Sequence, residues 1–197
     1  MIKPISATSE NILRCAQSLI VAGGYNGFSY ADIAKVVGIR NASIHHHFAS
    51  KADLVCTLVA QYRQDAEAGI AELERHVSDP VEQLRAYTSF WEGCMADPAS
   101  SFCLCALLAG EIPVLPEQVS VEVRAHFRAL SSWLSSVFER GAKQGSLKLT
   151  ATAKEEAEIF MAATHGAMLS ARAYGDAKMF AVITRPLLER LVVQGRK

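Results

Sequence analysis

Two very short helical patterns meet at Gly38, and their length limits what the first part of the chain can form. The first pattern covers about residues 30–37 and the second about residues 41–47. Helices this short have almost no stability of their own in water, because helix initiation is costly and few hydrogen bonds follow it. Gly38 tolerates positive φ angles and so permits a tight turn. We therefore expect both helices to exist only when packed against neighbouring elements.

The second short pattern has one apolar side and one polar side. Ile44 and Phe48 lie four residues apart on the apolar side, where Ile33 of the first pattern can meet them. The opposite side carries six polar residues: Arg40, Asn41, Ser43, His45, His46 and His47. A short helix presented in this way is the geometry of a helix-turn-helix that reads the major groove of DNA. The pattern predicts a DNA-binding module at the N-terminus.

The rest of the chain also has helical periodicity. Apolar residues recur at spacings of three and four, and alternation with period two does not persist. Capping pairs mark four helix starts, at Ser29 with Asp32, Ser50 with Asp53, Asp79 with Glu82, and Thr152 with Glu155. We predict an all-α fold of nine helices, at about residues 6–22, 30–37, 41–47, 51–76, 80–96, 101–110, 118–144, 153–174 and 177–194. A stop at Asp97-Pro98 separates the fifth helix from the sixth.

The charge balance bears on how DNA could be held. The chain has 20 basic and 20 acidic side chains, so bulk charge cannot attract nucleic acid and a local patch is required. The five cysteines form no paired framework, and neither a secretory signal nor an apolar run long enough to span a bilayer is present. We therefore expect a cytoplasmic protein with reduced thiols and no membrane partner.

The segment from Phe28 to Leu54 resembles the N-terminal domain of the TetR/AcrR family of bacterial regulators. The family pattern is matched at Ser29, Asp32-Ile33-Ala34, Gly38-Ile39, Ser43-Ile44, His47-Phe48 and Ser50-Lys51. The resemblance implies a TetR-like architecture, with a three-helix helix-turn-helix domain at residues 1–50 and a ligand-sensing and dimerisation domain at residues 51–197. It also implies a DNA-binding transcriptional regulator, most simply a repressor that a small molecule releases from its operator. Activation in place of repression stays open.

The resemblance places the DNA contacts residue by residue. Ser29 matches a hydroxyl that caps the second helix and touches phosphate, and Lys51 matches a phosphate contact. Arg40, Asn41 and Ser43 lie where family members reach base edges, and Asn41 could cap the third helix in place of Arg40. His45 occupies a position where the family usually has tyrosine, which contacts a phosphate or a base methyl group. His46 and His47 match contacts to the DNA backbone. Three adjacent histidines diverge by about 100° per residue on a helix, so no metal site is expected there.

The family's C-terminal part varies in sequence, and its interior must be argued from the residues. Aromatic, methionine and polar side chains suit a pocket for a small apolar or aromatic ligand, and the candidates are Trp91, Cys94, Phe127, Leu130, Trp133, Met161 and His165. For each of these residues, ordinary packing in the core is the alternative to a ligand contact. The last two predicted helices have apolar residues on more than one face, which favours a homodimer through them.

Three further alternatives concern chemistry. Cys103 and Cys105 could sense oxidants or electrophiles, as in some TetR-like proteins, or could simply be small buried apolar residues. An enzyme is not expected, since the sequence has neither a phosphate-binding glycine loop nor a nucleophile elbow, and no cofactor is expected. A helical ligand-binding protein with an inactive DNA module is the rival class; the intact polar face with Arg40 and Lys51 favours a working DNA-binding module.

Overall fold

A computed structural model describes residues 6–96 and 102–193. Over these residues the chain forms nine α-helices and no β-sheet. The helices are α1 Ala7–Gly23, α2 Tyr30–Val37, α3 Asn41–His47, α4 Lys51–His76, α5 Pro80–Cys94, α6 Leu104–Ala109, α7 Glu117–Gln144, α8 Ala153–Tyr174 and α9 Lys178–Leu191. Two short 3₁₀ helices, Tyr25–Gly27 and Ile112–Val114, lie between them. The all-α prediction is confirmed.

Local capping chemistry explains most of the helix starts. Ser6 accepts the main-chain N–H of Ser9 at the start of α1, a cap that the sequence reasoning missed. Asp79 accepts N–H groups of Val81 and Glu82 at the start of α5. Thr152 and Glu155 form a reciprocal capping box at the start of α8. Each of these bonds lies within one turn of the helix that it starts.

Several predicted features differ from the structure, and one is the last helix, which ends at Leu191 rather than at residue 194. The fifth helix ends at Cys94 rather than residue 96, and α6 is only Leu104–Ala109. The predicted stop at Asp97-Pro98 lies outside the described residues. Asn41 is not the cap of α3: the N-cap position belongs to Arg40, and its side chain makes no capping hydrogen bond. Arg40 is extended, and its main-chain carbonyl accepts from Ser43 N–H at 2.9 Å, so backbone geometry sets this start.

The described chain packs as two compact units. Among the described residues, the helix-turn-helix unit takes 6–64 and 104–126, and the C-terminal unit takes 65–96, 102–103 and 127–193. Helices α4 and α7 each contribute residues to both units. This division groups residues by packing and does not test the expected functional boundary at residue 50, which stays a prediction.

Each unit has its own apolar core. In the helix-turn-helix unit, Ile12, Ile20, Ile33, Ile44 and Leu54 are completely buried. The C-terminal core is built around Leu84, Leu134, Phe138 and Phe160. Burying side chains of this size contributes about 1.5–3 kcal/mol each, which is how the short α2 and α3 can persist. None of the described helices is both long and apolar enough to cross a bilayer.

Candidate nucleic-acid interface

The start of α2 is fixed by Ser29 and Asp32. The main-chain N–H and the hydroxyl of Ser29 both donate to the same carboxylate oxygen of Asp32, each at 2.7 Å. The hydroxyl bond is the main reason that the pKa of Asp32 lies below its ordinary value, and the N–H bond adds to it. The predicted capping pair is confirmed. Because the Ser29 hydroxyl proton is engaged with Asp32, the expected phosphate contact at this position remains a prediction.

The turn between α2 and α3 depends on Gly38. Its φ of 75° lies in the left-handed region, where a side chain would be strained. The N–H groups of Gly38 and Ile39 both donate to the carbonyl of Ala34, at 3.0 and 3.1 Å, and so close the end of α2. The chain then continues directly into α3, so the conformation of this turn sets the angle between α2 and α3.

Helix α3 is held in place by apolar packing and by one buried hydrogen bond. Ile44 is completely buried and Phe48 is nearly so. The hydroxyl of Tyr30, at the start of α2, donates to the carbonyl of Phe48 at 3.0 Å. Burial raises the pKa of Tyr30 to about 12, with Asp53 and Tyr25 adding to the shift. The sequence reasoning missed Tyr30, whose position just after the capping serine gave no sign of a partner at the far end of α3.

The outward side of α3 is polar and accessible. Arg40, Asn41, His45 and His46 are exposed and Ser43 is half-buried. This agrees with the expected polar face, on which the base contacts themselves stay a prediction. A guanidinium in this position could form a bidentate pair with guanine, and such pairs are worth about 1–3 kcal/mol of discrimination.

The three consecutive histidines point to different partners. The His45 ring lies 4.7 Å from the Tyr30 ring, centre to centre, and its Nδ1 lies 3.4 Å from the carbonyl of Ala49. His47 Nδ1 is 3.0 Å from the hydroxyl of Ser9, which ties α3 to α1. His46 is exposed. Nowhere in the described part of the chain do three or more metal-binding side chains gather.

Lys51 is folded against the helix-turn-helix rather than extended into solvent. Its ammonium group donates to the carbonyl of Phe28 and lies 4.1 Å from the centre of the Phe28 ring and 4.9 Å from that of Tyr25. Desolvation lowers the pKa of Lys51, while the nearby carboxylates of Asp32 and Glu111 oppose that shift. One of the three ammonium donors is used internally, and the predicted phosphate contact would need one of the others.

An open groove of about 460 Å³ lies between the start of α2 and the exposed side of α3. It is lined by Phe28, Ser29, Tyr30, Ala31, Asn41, His45 and Lys51. The groove borders the first residues of α2, and helix N-termini attract anions through their first main-chain N–H groups. The groove therefore combines a helix N-terminus, an ammonium group and polar side chains, which is the chemistry of a phosphate site.

Glu111 supports this region from a distant part of the sequence. Its carboxylate accepts the main-chain N–H of Tyr25 at 2.8 Å and lies against Gly24, whose φ is 77°. A side chain at residue 24 would collide with that carboxylate. The contact fixes the turn after α1 and places a negative charge near Lys51. Sequence reasoning missed Glu111, because 86 positions separate it from Tyr25.

The candidate ligand residues all lie in the C-terminal unit, but only some share one cluster. Leu130, Trp133 and Met161 are buried together, with Phe127 packed against them. The Phe127 ring lies 5.3 Å from that of His165. Trp91 is buried and Cys94 half-buried on α5. The residue that links these parts, Tyr87, was not among the candidates; its ring lies 5.5 Å from Trp133 and 6.3 Å from Phe160.

The two candidate sensor thiols are both buried, Cys103 with 1 % and Cys105 with no exposed surface. Cys103 lies close enough to Tyr87 to influence its pKa. Burial of this kind is typical of cysteines that fill space in a core. Redox or electrophile sensing by either thiol stays a prediction.

An exposed apolar stripe runs along α8. Ile159 and Leu169 have 51 % and 60 % of their surface exposed, and the small residues Ala162, Gly166 and Ala173 are exposed between and beyond them. On α9, Val182 is exposed to 59 %. The positions 159, 162, 166, 169 and 173 follow spacings of three and four, so they form a single face. A continuous apolar face of this kind is typical of a protein–protein contact.

Comparison with known proteins agrees with this geometry. Residues 12–56 match the family model described as bacterial regulatory proteins, tetR family, and residues 80–187 match that of the tetracyclin repressor-like C-terminal domain. A TetR family transcriptional regulator from Agrobacterium tumefaciens is 68 % identical with a TM-score of 0.93, over 95 % of this chain and 98 % of the other. No curated protein matches the sequence.

More distant structures share the fold. A TetR transcriptional regulator from Legionella pneumophila is 27 % identical, with a TM-score of 0.84 over 95 % of this chain and 98 % of the other. The transcriptional regulator FadR from Bacillus subtilis, solved in complex with stearoyl-CoA, is 16 % identical. Its TM-score is 0.75 over 93 % of this chain and 97 % of the other. At 16 % identity, the FadR match supports likeness of fold alone.

Proposed function

The chain belongs to the TetR family of bacterial transcriptional regulators, and from this premise we propose that it is an operator-binding repressor released from DNA by a small-molecule ligand. Members of the family are in general DNA-binding proteins rather than enzymes. An operator-binding protein acts where the chromosome lies, so the cytoplasm is the expected compartment.

One observation carries the DNA-binding part of this proposal. A seven-residue helix is held on its apolar side by Ile44 and on its end by Tyr30, and its other side leaves Arg40 and Asn41 exposed. Such a helix would enter the major groove and read base edges, while the groove beside α2 would hold the DNA backbone. We assign base contacts to Arg40, Asn41 and Ser43, and backbone contacts to Ser29, His46, His47 and Lys51, with His45 contacting either.

Dimerisation would supply the second recognition helix. We propose that the exposed stripe of α8, together with α9, forms the interface, because small residues there allow two helix backbones to approach closely. A two-fold dimer of helix-turn-helix domains contacts successive major grooves about 34–36 Å apart. The operator is then expected to be a palindrome with that half-site spacing.

Ligand release requires two states that differ in their affinity for DNA. We propose that a small molecule binds among the aromatic residues of the C-terminal unit and that α4, which belongs to both units, transmits the change. FadR with stearoyl-CoA illustrates that a protein of this fold can hold a small molecule. A coupling free energy of about 1–3 kcal/mol would lower operator affinity roughly 5- to 150-fold, and DNA would weaken ligand binding by the same factor.

The test is fluorescence anisotropy of the full chain on DNA that flanks its own gene, across a salt series, for the wild type and Arg40→Ala. We expect saturable, salt-sensitive binding to one segment, with Arg40→Ala weakening it by about 1–3 kcal/mol and relaxing the preference at one base pair. Arg75→Ala, an exposed arginine in the C-terminal unit, is the matched control. Binding no tighter than to random DNA, both here and in a genome-wide selection of fragments, would instead favour a helical sensor with an inactive DNA module.

A further inference from the structure

A group of aromatic side chains in the C-terminal unit carries buried polar atoms that the protein does not satisfy. The hydroxyl of Tyr87 and the indole N–H groups of Trp91 and Trp133 are all fully shielded from solvent and have no hydrogen-bond partner in the described chain. A buried polar group without a partner costs about 1–3 kcal/mol. Three such groups in one unit are more than packing alone requires, since apolar side chains would fill a core without this cost.

Tyr87 lies near each of the two tryptophans. Tyr87 and Trp91 lie one helical turn apart on α5, and the Tyr87 ring packs 5.5 Å from the Trp133 ring of α7. Burial raises the pKa of the Tyr87 hydroxyl and Cys103 adds to that rise, whereas the Trp91 indole N–H, which lies near the Tyr87 oxygen without reaching hydrogen-bond geometry, opposes it. The Tyr87 hydroxyl therefore stays protonated across the physiological pH range and can act as a donor.

The chemistry of the three groups defines what they can bind. An indole N–H is a donor only, so Trp91 and Trp133 each require an acceptor atom. The surroundings are apolar and aromatic, with Phe160 against Tyr87 and Leu130 and Met161 in the same core cluster as Trp133. No lysine or arginine among the described residues is buried, so the interior offers no permanent cation to balance a carboxylate.

We propose that Tyr87, Trp91 and Trp133 form the polar contact of the ligand site and that the ligand is a neutral carbonyl compound with an apolar body. Its carbonyl oxygen accepts from the indole and phenol donors, and its hydrocarbon part packs among the surrounding aromatic rings. The inference rests on the proposed function, since it names the class of molecule that the proposed sensor site binds. It adds Tyr87 to that site and makes the two tryptophans donors rather than packing residues.

The test uses three probes that share one ring frame. 2-Acetylnaphthalene carries a ketone, 2-ethylnaphthalene replaces it with a hydrocarbon, and 2-naphthoate replaces it with a carboxylate. Calorimetric titration of the full-length protein is expected to give an affinity for the ketone at least about tenfold higher than for either of the others, as two or more buried hydrogen bonds imply. Equal affinity for the hydrocarbon, tighter binding of the carboxylate, or no binding of the ketone would overturn the proposal.

Variants then locate the donors. Trp91→Phe, Trp133→Phe and Tyr87→Phe are each expected to lower ketone affinity severalfold and to leave hydrocarbon affinity within about twofold. Incorporation of benzothienylalanine at each tryptophan position keeps the ring shape and removes only the N–H, which covers the case in which phenylalanine disturbs the fold. Tyr174→Phe, at a tyrosine with 73 % of its surface exposed, is the matched control and is expected to bind all three probes as the wild type does.

The indole N–H resonances give a direct readout. Trp91 and Trp133 are the only two tryptophans of the chain, so both side-chain signals report on this cluster. Both are expected to move downfield with the ketone and much less with the hydrocarbon; unmoved signals with bound ketone would place the ligand elsewhere. Operator binding is measured on the same samples. Intact operator binding without ketone selectivity would overturn this inference alone, whereas loss of specific operator binding would overturn the proposed function.

Discussion

The hydroxyl of Tyr30 donates a buried hydrogen bond to the main-chain carbonyl of Phe48, 3.0 Å away. Tyr30 is the first residue of α2, and Phe48 directly follows the last residue of α3. The bond therefore joins the start of one short helix to the end of the other. Together with the burial of Ile44, it holds α3 in place while its polar face stays open.

We expect Tyr30→Phe to lower the free energy of unfolding of the helix-turn-helix by about 1–3 kcal/mol, because it leaves the buried carbonyl of Phe48 without a partner. Operator affinity is expected to fall with it, since α3 loses its fixed end. Urea unfolding and anisotropy measure the two effects. The same change at the exposed Tyr174 is the control and should alter neither. If Tyr30→Phe were as stable as the wild type, packing alone would hold α3 in place.

The capping pair at the start of α2 predicts a pH dependence. The hydrogen bond from the Ser29 hydroxyl, above all, lowers the pKa of Asp32 from its ordinary value of 3.8. A carboxyl with a lowered folded-state pKa stabilises the fold above its unfolded pKa, and this contribution is lost as pH falls through the folded pKa. We expect Asp32→Asn to lower Tm at pH 6, and the difference from wild type to shrink as pH falls below about 4.

The control for that experiment is Asp65→Asn, at an exposed aspartate on α4 with no capping role in the structure. Its Tm is expected to follow that of the wild type across the same pH range. A difference between wild type and Asp32→Asn that persisted unchanged at pH 3 would show that the carboxylate charge contributes nothing to α2.

Lys51 donates to the carbonyl of Phe28 and is also predicted to contact a DNA phosphate. The salt dependence of operator affinity separates these two roles. If one of its remaining ammonium donors meets a phosphate, Lys51→Gln reduces the slope of log affinity against log salt by about 0.9, the value for one phosphate contact on duplex DNA. We expect that reduction, together with a lower Tm from loss of the contacts to Phe28 and Tyr25. Lys143→Gln, at an exposed lysine late in α7, is expected to leave the slope unchanged. A lower Tm with an unchanged slope would assign Lys51 a structural role alone.

Elements whose signals are local were predictable from the sequence. The bounds predicted for α2, α3, α4 and α8 match the structure, because caps such as Ser29 with Asp32 and Thr152 with Glu155 lie within one turn of the helix they start. The family pattern covers the same region, so the exposed face of α3 could be anticipated as well.

Features that depend on distant residues could not be predicted. Helix α9 ends at Leu191 because the chain then pairs with residues after α7: Lys148 N–H donates to Leu191, and Val193 N–H donates to Ser146. No residue near Leu191 in the sequence predicts those hydrogen-bond partners. The support of Tyr25 by Glu111 has the same origin. The orphaned donors of Trp91 and Trp133 are likewise visible only once the packing is known.

The exposed stripe on α8 gives the sharpest test of the proposed dimer. Leu169 lies on that stripe with 60 % of its surface exposed, so Leu169→Glu is compatible with the folded monomer. In a dimer it would bury an unpaired charge on each chain, a cost of several kcal/mol. We expect this variant to sediment as a monomer and to lose the tight operator binding that two linked recognition helices provide.

A matched substitution shows whether the effect is specific to α8. Val114 is equally exposed, at 63 %, but lies outside α8 and α9, so Val114→Glu should remain dimeric. Val182→Glu, on α9, is expected to weaken the dimer as Leu169→Glu does. If Leu169→Glu and Val182→Glu both remained dimeric at micromolar concentration, the interface would have to lie on another surface. In that case the half-site spacing expected from a dimer formed by α8 and α9 would no longer hold.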